Sequence, residues 1–241
     1  MMRRLLAALQ FLTVLPIPGS TASPGQAAVF FPLTGAVLGA SAGGVLMAAG
    51  HGVARPIAAL LALAALLLVT GCLHEDGLAD VADAIRAGRS REKMLAILKD
   101  SRIGTYGAVA LLISVVLRWQ ALVNGGVNPV YALAAALAVS RGVMVVLAGI
   151  TPACGEGLGR AFADAISPRV VAAVIAQAAA FSLLAGWAYA VAMLLSSGLI
   201  VMLARTWFMR RLGGVNGDCL GATCQVVETV NMVILTWQSS I

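Results

Sequence analysis

Apolar residues run along this chain in stretches too long for a water-soluble core. They fall at about 30 to 50, 57 to 73, 104 to 123, 129 to 150, 170 to 204 and 219 to 238. A helix of ~20 residues crosses the ~30 Å hydrocarbon core of a bilayer, so each run predicts a membrane span. The runs are continuous rather than alternating, which argues against a β-barrel. As one helix the fifth run would exceed ~50 Å at ~1.5 Å per residue. It therefore predicts two spans with a tight turn near Gly186. The expected fold class is an all-α polytopic transmembrane bundle of about seven spans, within a range of six to eight, forming one membrane domain over residues 1–241.

Composition agrees. The chain is 61% hydrophobic and 11% charged, with a mean hydropathy of +0.96, against roughly 25% charged residues in soluble domains. Its 26 glycines suit close helix packing in lipid. The net charge of +6 comes without an aromatic-interleaved basic stripe, so no nucleic-acid partner is expected. Cys72, Cys154, Cys219 and Cys224 lack metal spacing and read as small core residues. The N-terminus imitates a secretory signal, but Gln10 interrupts its apolar run; residues 1–25 are expected to remain as a short amphipathic or half-inserted segment.

Positive charge sets the orientation. With seven spans, one side carries Arg3, Arg4, Arg86, Arg89, Arg91, Lys93, Lys99, Arg102, Arg160, Arg169, Arg205, Arg210 and Arg211, and the other carries Arg55 alone. The N-terminus and the loops 74–103, 151–169 and 205–218 are thus expected in the cytoplasm, and the C-terminus outside. All ten acids lie in or beside the cytoplasmic segments. Acids have little influence on topology, so their gathering asks for a chemical reason.

Asp76, Asp80 and Asp83 are spaced i, i+4, i+7, which puts them within an arc of about 60° on one helix face. Such stacked carboxylates repel, and a hard divalent cation relieves them. Mg²⁺, which keeps waters and bridges to substrate phosphates, is the expected cofactor. Arg86, Arg89, Arg91, Lys93, Lys99 and Arg102 follow, with Asp100 among them. Carboxylates for a metal beside cations for an anion are the parts of a phosphoryl-transfer site. A solvated topology-anchoring loop is the plainer alternative for Arg91, Glu92 and Lys93. His74 stands beside the acids as a base or metal ligand, or simply as a polar interface residue.

A second cluster follows the sixth span. Gly213, Gly214 and Gly217 allow turns or backbone approach to a ligand. Asp218 opens the last helix as a metal ligand or an N-cap. Glu228 lies deeper, functional by default in a membrane or else a partner for Arg118 or Arg141. The spacing Gly71 to Asp76 repeats as Gly213 to Asp218, each with leucine two residues later. The string Gly155, Gly157, Gly159 has no preceding strand and fails as a dinucleotide motif.

At FLTVLPIP (11–18), FPLTG (31–35), GCLHEDGLADVADAI (71–85), LKDSRIGTYG (98–107) and GGVNGDCLGA (213–222), the chain resembles the cobalamin synthases, membrane-bound adenosylcobinamide-GDP ribazoletransferases. The resemblance implies an enzyme of the bacterial inner membrane, multi-pass, working at the cytoplasmic face in two segments, 71–107 and 213–228. Its substrates would be adenosylcobinamide-GDP and α-ribazole or α-ribazole 5′-phosphate, with Mg²⁺ required and GMP released. On this chain it implies Asp76, Asp80, Asp83 and Asp218 at the metal and Asp100 as a further ligand or orienting group. His74 joins the catalytic set. Arg86, Lys99, Arg102, Gly214 and Gly217 would meet substrate phosphate. Glu75 and Ala84 depart from the pattern and put the loop shape in doubt rather than the chemistry. A homo-oligomer is compatible with the sequence.

Two other classes make different demands. A CDP-alcohol phosphotransferase needs Ala-Arg three residues after its Asp-Gly, and here Gly77 is followed by Leu78, Ala79 and Asp80. A transporter predicts acids near the midplane, open to both faces. A purely structural subunit has no need of an aspartate triplet.

Overall fold

A computed structural model describes residues 1–17, 23–87, 90–154 and 158–237. Arg89, Gly155, Glu156 and Gly157 lie outside these. The elements are α1 (Met2–Leu12), α2 (Pro24–Ala27), α3 (Phe31–Gly50), α4 (Arg55–Thr70), α5 (Leu73–Ala87), α6 (Arg91–Ile97), α7 (Thr105–Asn124), α8 (Pro129–Ile150), α9 (Leu158–Asp164), α10 (Pro168–Ser182), α11 (Trp187–Leu212) and α12 (Gly217–Ile234). Among the described residues the β structure is a lone parallel bridge, Ala153 to Val215.

Five helices are long and apolar enough to cross a bilayer: α3 with its lead-in from Gly25, α7, α8, α10 with the turn after it, and α11. The bent pair α4 and α5 makes a sixth if counted as one broken span. Length and composition alone thus pick out five or six helices where seven spans are expected. The difference lies in α4, only 16 residues long, and α12, which carries Asp218 and Glu228 within 18 residues. The long apolar run breaks where its length demanded, at Gly186, whose φ of +104° strongly favours glycine.

Small residues set the packing. Gly35, Gly39 and Gly43 form a small-xxx-small stripe on α3, and a Cβ at any of them would run into the backbone of α8 at Leu137, Leu133 or Pro129. Helix α8 is buried along most of its length. Helix α1 is amphipathic and folds onto the bundle, with Phe11 stacked 5.6 Å from Phe31 and 6.2 Å from Phe162.

The helix ends gather in two groups. At one end Arg55 donates to the carbonyls of Leu122 (3.2 Å) and Gly125 (2.8 Å), closing the C-terminus of α7. There too the Tyr189 hydroxyl donates to the Trp237 carbonyl at 2.7 Å. At the opposite end Arg91 Nε donates to the Leu212 carbonyl at 2.7 Å, and the amide of Cys154 donates to the Val215 carbonyl at 2.9 Å. The acidic segments lie at this second end. The expected loop 74–103 is largely helical there, as α5 and α6, with the Ser90 side chain capping α6 at the amide of Lys93.

Candidate active site

Helix α4 ends at Gly71 in the left-handed region, φ +61°, and the chain turns through 86° into α5. Helix α5 therefore leaves the line of α4. It crosses α12 closely: a Cβ on Gly77 would sit 2.9 Å from the Asp218 carbonyl oxygen, and Gly221 faces the backbone of His74 and Gly77. Two glycine contacts thus bring the start of α12 against the acidic face of α5. The repeated spacing has a structural counterpart, since Gly213 ends α11 at φ +76° as Gly71 ends α4, and each precedes a helix carrying an aspartate in its first turn.

The crossing builds a pocket of about 530 Å³ lined by Asp76, Asp80 and Asp218, with Glu75, Lys99 and Asp100. Burial, joined by the charges of Asp76, Asp218 and Asp83, pushes the Asp80 carboxyl up to about 6. Asp218 is not the N-cap of α12. Asn216 takes that place, accepting from the amide of Cys219 at 3.0 Å, while its side-chain amide donates to Asp218 Oδ2 at 2.8 Å. Asp218 is thereby oriented rather than consumed as a cap.

Asp83 stands elsewhere. Its Oδ2 accepts from the amide of Gly104 at 2.6 Å and its Oδ1 from the amide of Gly107 at 2.9 Å, so it binds the N-terminus of α7. A Cβ on either glycine would strike this carboxylate. Asp83 lines a neighbouring pocket of about 400 Å³ with Arg86, Asp100, Arg102 and Tyr106. Asp100 and Ile103 line both pockets, which therefore adjoin. Arg86 donates to the Tyr106 hydroxyl at 2.9 Å and lies over its ring. Arg102 grips Asp100 through two nitrogens at 2.7 to 3.2 Å, which holds the Asp100 carboxyl below the usual range. Of the three expected phosphate-binding cations, Lys99 lines the acid pocket and Arg86 and Arg102 line the one beside it.

His74 is 1% exposed and lies on the inner side of α5, away from the pocket lining. Burial and the nearby Arg141 charge push its imidazole down to about 3, so it is neutral, and its Nε2 has no hydrogen-bond partner. Gly214 serves packing: a Cβ there would collide with the Pro152 carbonyl and crowd Ala153 and Cys154, beside the Ala153–Val215 bridge. Gly217 faces open space at the start of α12.

Behind the pocket lies a buried charge network. Arg118 Nη1 is 3.0 Å from Glu228 Oε1 and 3.0 Å from Glu75 Oε1, and Arg141 pairs with the other Glu228 oxygen. With its amide turned, Gln225 donates to Glu75 and accepts from Arg118. Glu228 thus takes both of its candidate partners. Glu75 and Tyr106 were not singled out as functional from sequence. The signal for Glu75 was its place on α5, one residue and about 100° from Asp76, facing inward.

Among the described residues, no three His, Cys, Asp or Glu side chains are arranged to hold a metal ion by themselves. The donors still fit Mg²⁺, which takes one or two carboxylates and fills its octahedron with water and substrate phosphate. Asp76 and Asp80 stand one turn apart, and Asp218 faces the same pocket.

The model of the cobalamin-5-phosphate synthase family matches residues 4–236. An adenosylcobinamide-GDP ribazoletransferase from Geotalea daltonii is 36% identical over 98% of this chain and 97% of its own. One from Mesorhizobium japonicum is 39% identical over 94% and 90%, and one from Escherichia coli 37% over 95% and 97%. No solved structure matches the chain. A family match over nearly the whole length, with a close-packed crossing that gathers the motif aspartates, shows that the chain belongs to the cobalamin-5-phosphate synthase family.

Proposed function

We propose that the chain is a Mg²⁺-dependent membrane transferase that joins adenosylcobinamide-GDP to α-ribazole or α-ribazole 5′-phosphate. GMP leaves, and adenosylcobalamin or its 5′-phosphate is the product. The observation that carries this reading is the convergence of Asp76, Asp80 and Asp218 on one pocket beside Lys99. The names of the relatives support the substrates.

In the reaction a ribose hydroxyl of the ribazole attacks the corrinoid-side phosphorus of the diphosphate. A new P–O bond forms as the hydroxyl proton is lost to water, the bond to the GMP oxygen breaks, and that electron pair departs with GMP. Asp76, Asp80 and Asp218 would hold Mg²⁺, which when bound supplies charge neutralisation at the diphosphate. Lys99 reaches the same pocket as a second positive charge. Arg86 and Arg102 hold phosphate from the adjoining pocket, each steadied by a partner, Tyr106 and Asp100. Asp83 acts by fixing the N-terminus of α7 beside the pockets, through the amides of Gly104 and Gly107. His74 is placed behind the carboxylates, and Gly217 offers the open backbone that Gly214 does not.

The membrane setting belongs to the same proposal: a multi-pass protein of the bacterial inner membrane with seven crossings, a cytoplasmic N-terminus and the site facing the cytoplasm. The grouping of helix ends supports it, because Arg55 and the acidic pocket lie at opposite ends. A reporter fused at the C-terminus should be active only outside the cytoplasm. A transporter is disfavoured because the interior charges Arg118, Arg141, Glu75 and Glu228 bind one another.

Purified protein in lipid, given adenosylcobinamide-GDP, α-ribazole and Mg²⁺, should release GMP and form adenosylcobalamin. No release with any divalent metal would refute the assignment.

A further inference from the structure

An apolar groove of about 320 Å³ runs between α5, α11 and α12, lined on α11 by Ile200, Leu203, Ala204 and Phe208. Its walls are open: Leu203 is 61% exposed and Ile85, across the groove on α5, is 49% exposed. A second pocket of about 470 Å³ begins where this groove ends. It is lined by Arg91, Arg210 and Arg211, with Met94, Met209 and Gly213. Their linings follow one another along α11, from Phe208 to Met209. Arg210 follows Leu203 by seven residues, so its guanidinium stands directly above the groove on the same stripe of α11.

Neither pocket contains the acids, Lys99 or the phosphate-binding arginines of the proposed active site. From Ile200 to Phe208 the groove follows about 12 Å of helix at ~1.5 Å per residue. That approaches the ~15 Å depth of hydrocarbon in one leaflet, half of a ~30 Å core. The arginine pocket then falls at headgroup level, beyond the last apolar turn. Arg91 is fastened across the end of α11 by its bond to the Leu212 carbonyl, which keeps a guanidinium at the mouth. An apolar trough that closes in the guanidinium groups of Arg91 and Arg210 matches an acyl chain joined to an anionic phosphate.

We propose that this groove and its arginine pocket form a site for one anionic phospholipid, with an acyl chain along Leu203, Ala204 and Phe208 and the headgroup phosphate against Arg210 and Arg91. Its occupant ties the end of α11 to α5, the helix that carries Asp76 and Asp80. The inference does not depend on the substrates assigned above.

The test uses the full chain in detergent, with native mass spectrometry and thermal unfolding. Dioleoyl phosphatidylglycerol should bind saturably at one copy and raise the melting temperature. Dioleoyl phosphatidylcholine and glycerol 3-phosphate should do neither. Arg210→Gln, at an exposed position, should weaken phosphatidylglycerol binding about fivefold, the value of one interfacial basic residue at ~1 kcal/mol. Ala204→Leu, which fills the trough, should weaken it while the protein without lipid keeps its melting temperature; Leu203→Ser tests the same wall should the first variant pack badly. Equal binding of the two phospholipids, a full response to glycerol 3-phosphate, or unchanged affinity in Arg210→Gln would each overturn the proposal.

Discussion

A single guanidinium nitrogen of Arg118 lies 3.0 Å from a carboxylate oxygen of Glu75 and 3.0 Å from one of Glu228, and so joins α5 to α12 through α7. Removing one member of a buried pair leaves its partner uncompensated, at about 3–5 kcal/mol. Arg118→Met should therefore lower thermal stability sharply, because it leaves the buried Glu75 carboxyl without its partner. Arg118→Met with Glu75→Gln should be more stable than Arg118→Met alone, by about 0.5–3 kcal/mol in a double-mutant cycle. Additive losses in thermal unfolding would mean that the two residues are not coupled.

Asp80 and Asp83 share a helix face and should behave as opposites. Asp80→Asn should abolish GMP release without lowering thermal stability. Asp83→Ala should cost about 1–2 kcal/mol, the value of a lost helix cap, because two amides of the α7 turn lose their acceptor. Melting curves and activity measured on the same preparations separate the two roles.

The raised pKa of Asp80, about 6, gives a pH dependence with a definite sign. Its folded pKa lies above the ordinary value of 3.8, so ionisation destabilises the fold as pH rises through about 6. A divalent cation needs the ionised form and displaces the proton. Mg²⁺ should therefore stabilise the protein more at pH 7.5 than at pH 5.5. At pH 6 its binding should release protons, measured by calorimetry in two buffers of different ionisation enthalpy.

Gly77 and Gly217 offer a paired substitution. Gly77→Ala forces α5 away from the Asp218 backbone and should cost about 1–3 kcal/mol along with most of the activity. Gly217→Ala meets open space and should leave the melting temperature near its original value. A raised KM in that variant, with kcat kept, would mark Gly217 as a backbone contact of the substrate.

What the chain discloses without a structure follows from lipid and charge. The break at Gly186 was legible because no single helix suits a run of that length, and the pairing of Glu228 with Arg118 and Arg141 because charges in a membrane need partners. The two amides that Asp83 holds were not. Periodicity fixes the azimuth of a side chain but says nothing of reach along the axis, and Asp83 stands about 10 Å beyond Asp76 at ~1.5 Å per residue. Glycine announces that something comes close without saying what: at Gly104 and Gly107 it is a carboxylate, at Gly214 a carbonyl.

The members of the buried network are also far apart in the order of synthesis. Glu228 is synthesised 110 residues after Arg118 and 87 residues after Arg141. While the ribosome works through that interval, Glu75 alone can offset two positive charges already entering the bilayer. Until α12 is made, Arg118 and Arg141 lack the carboxylate that pairs with both of them. A chain cut short before Glu228 would set two interior guanidinium groups against the single carboxylate of Glu75, the uncompensated arrangement that burial penalises most.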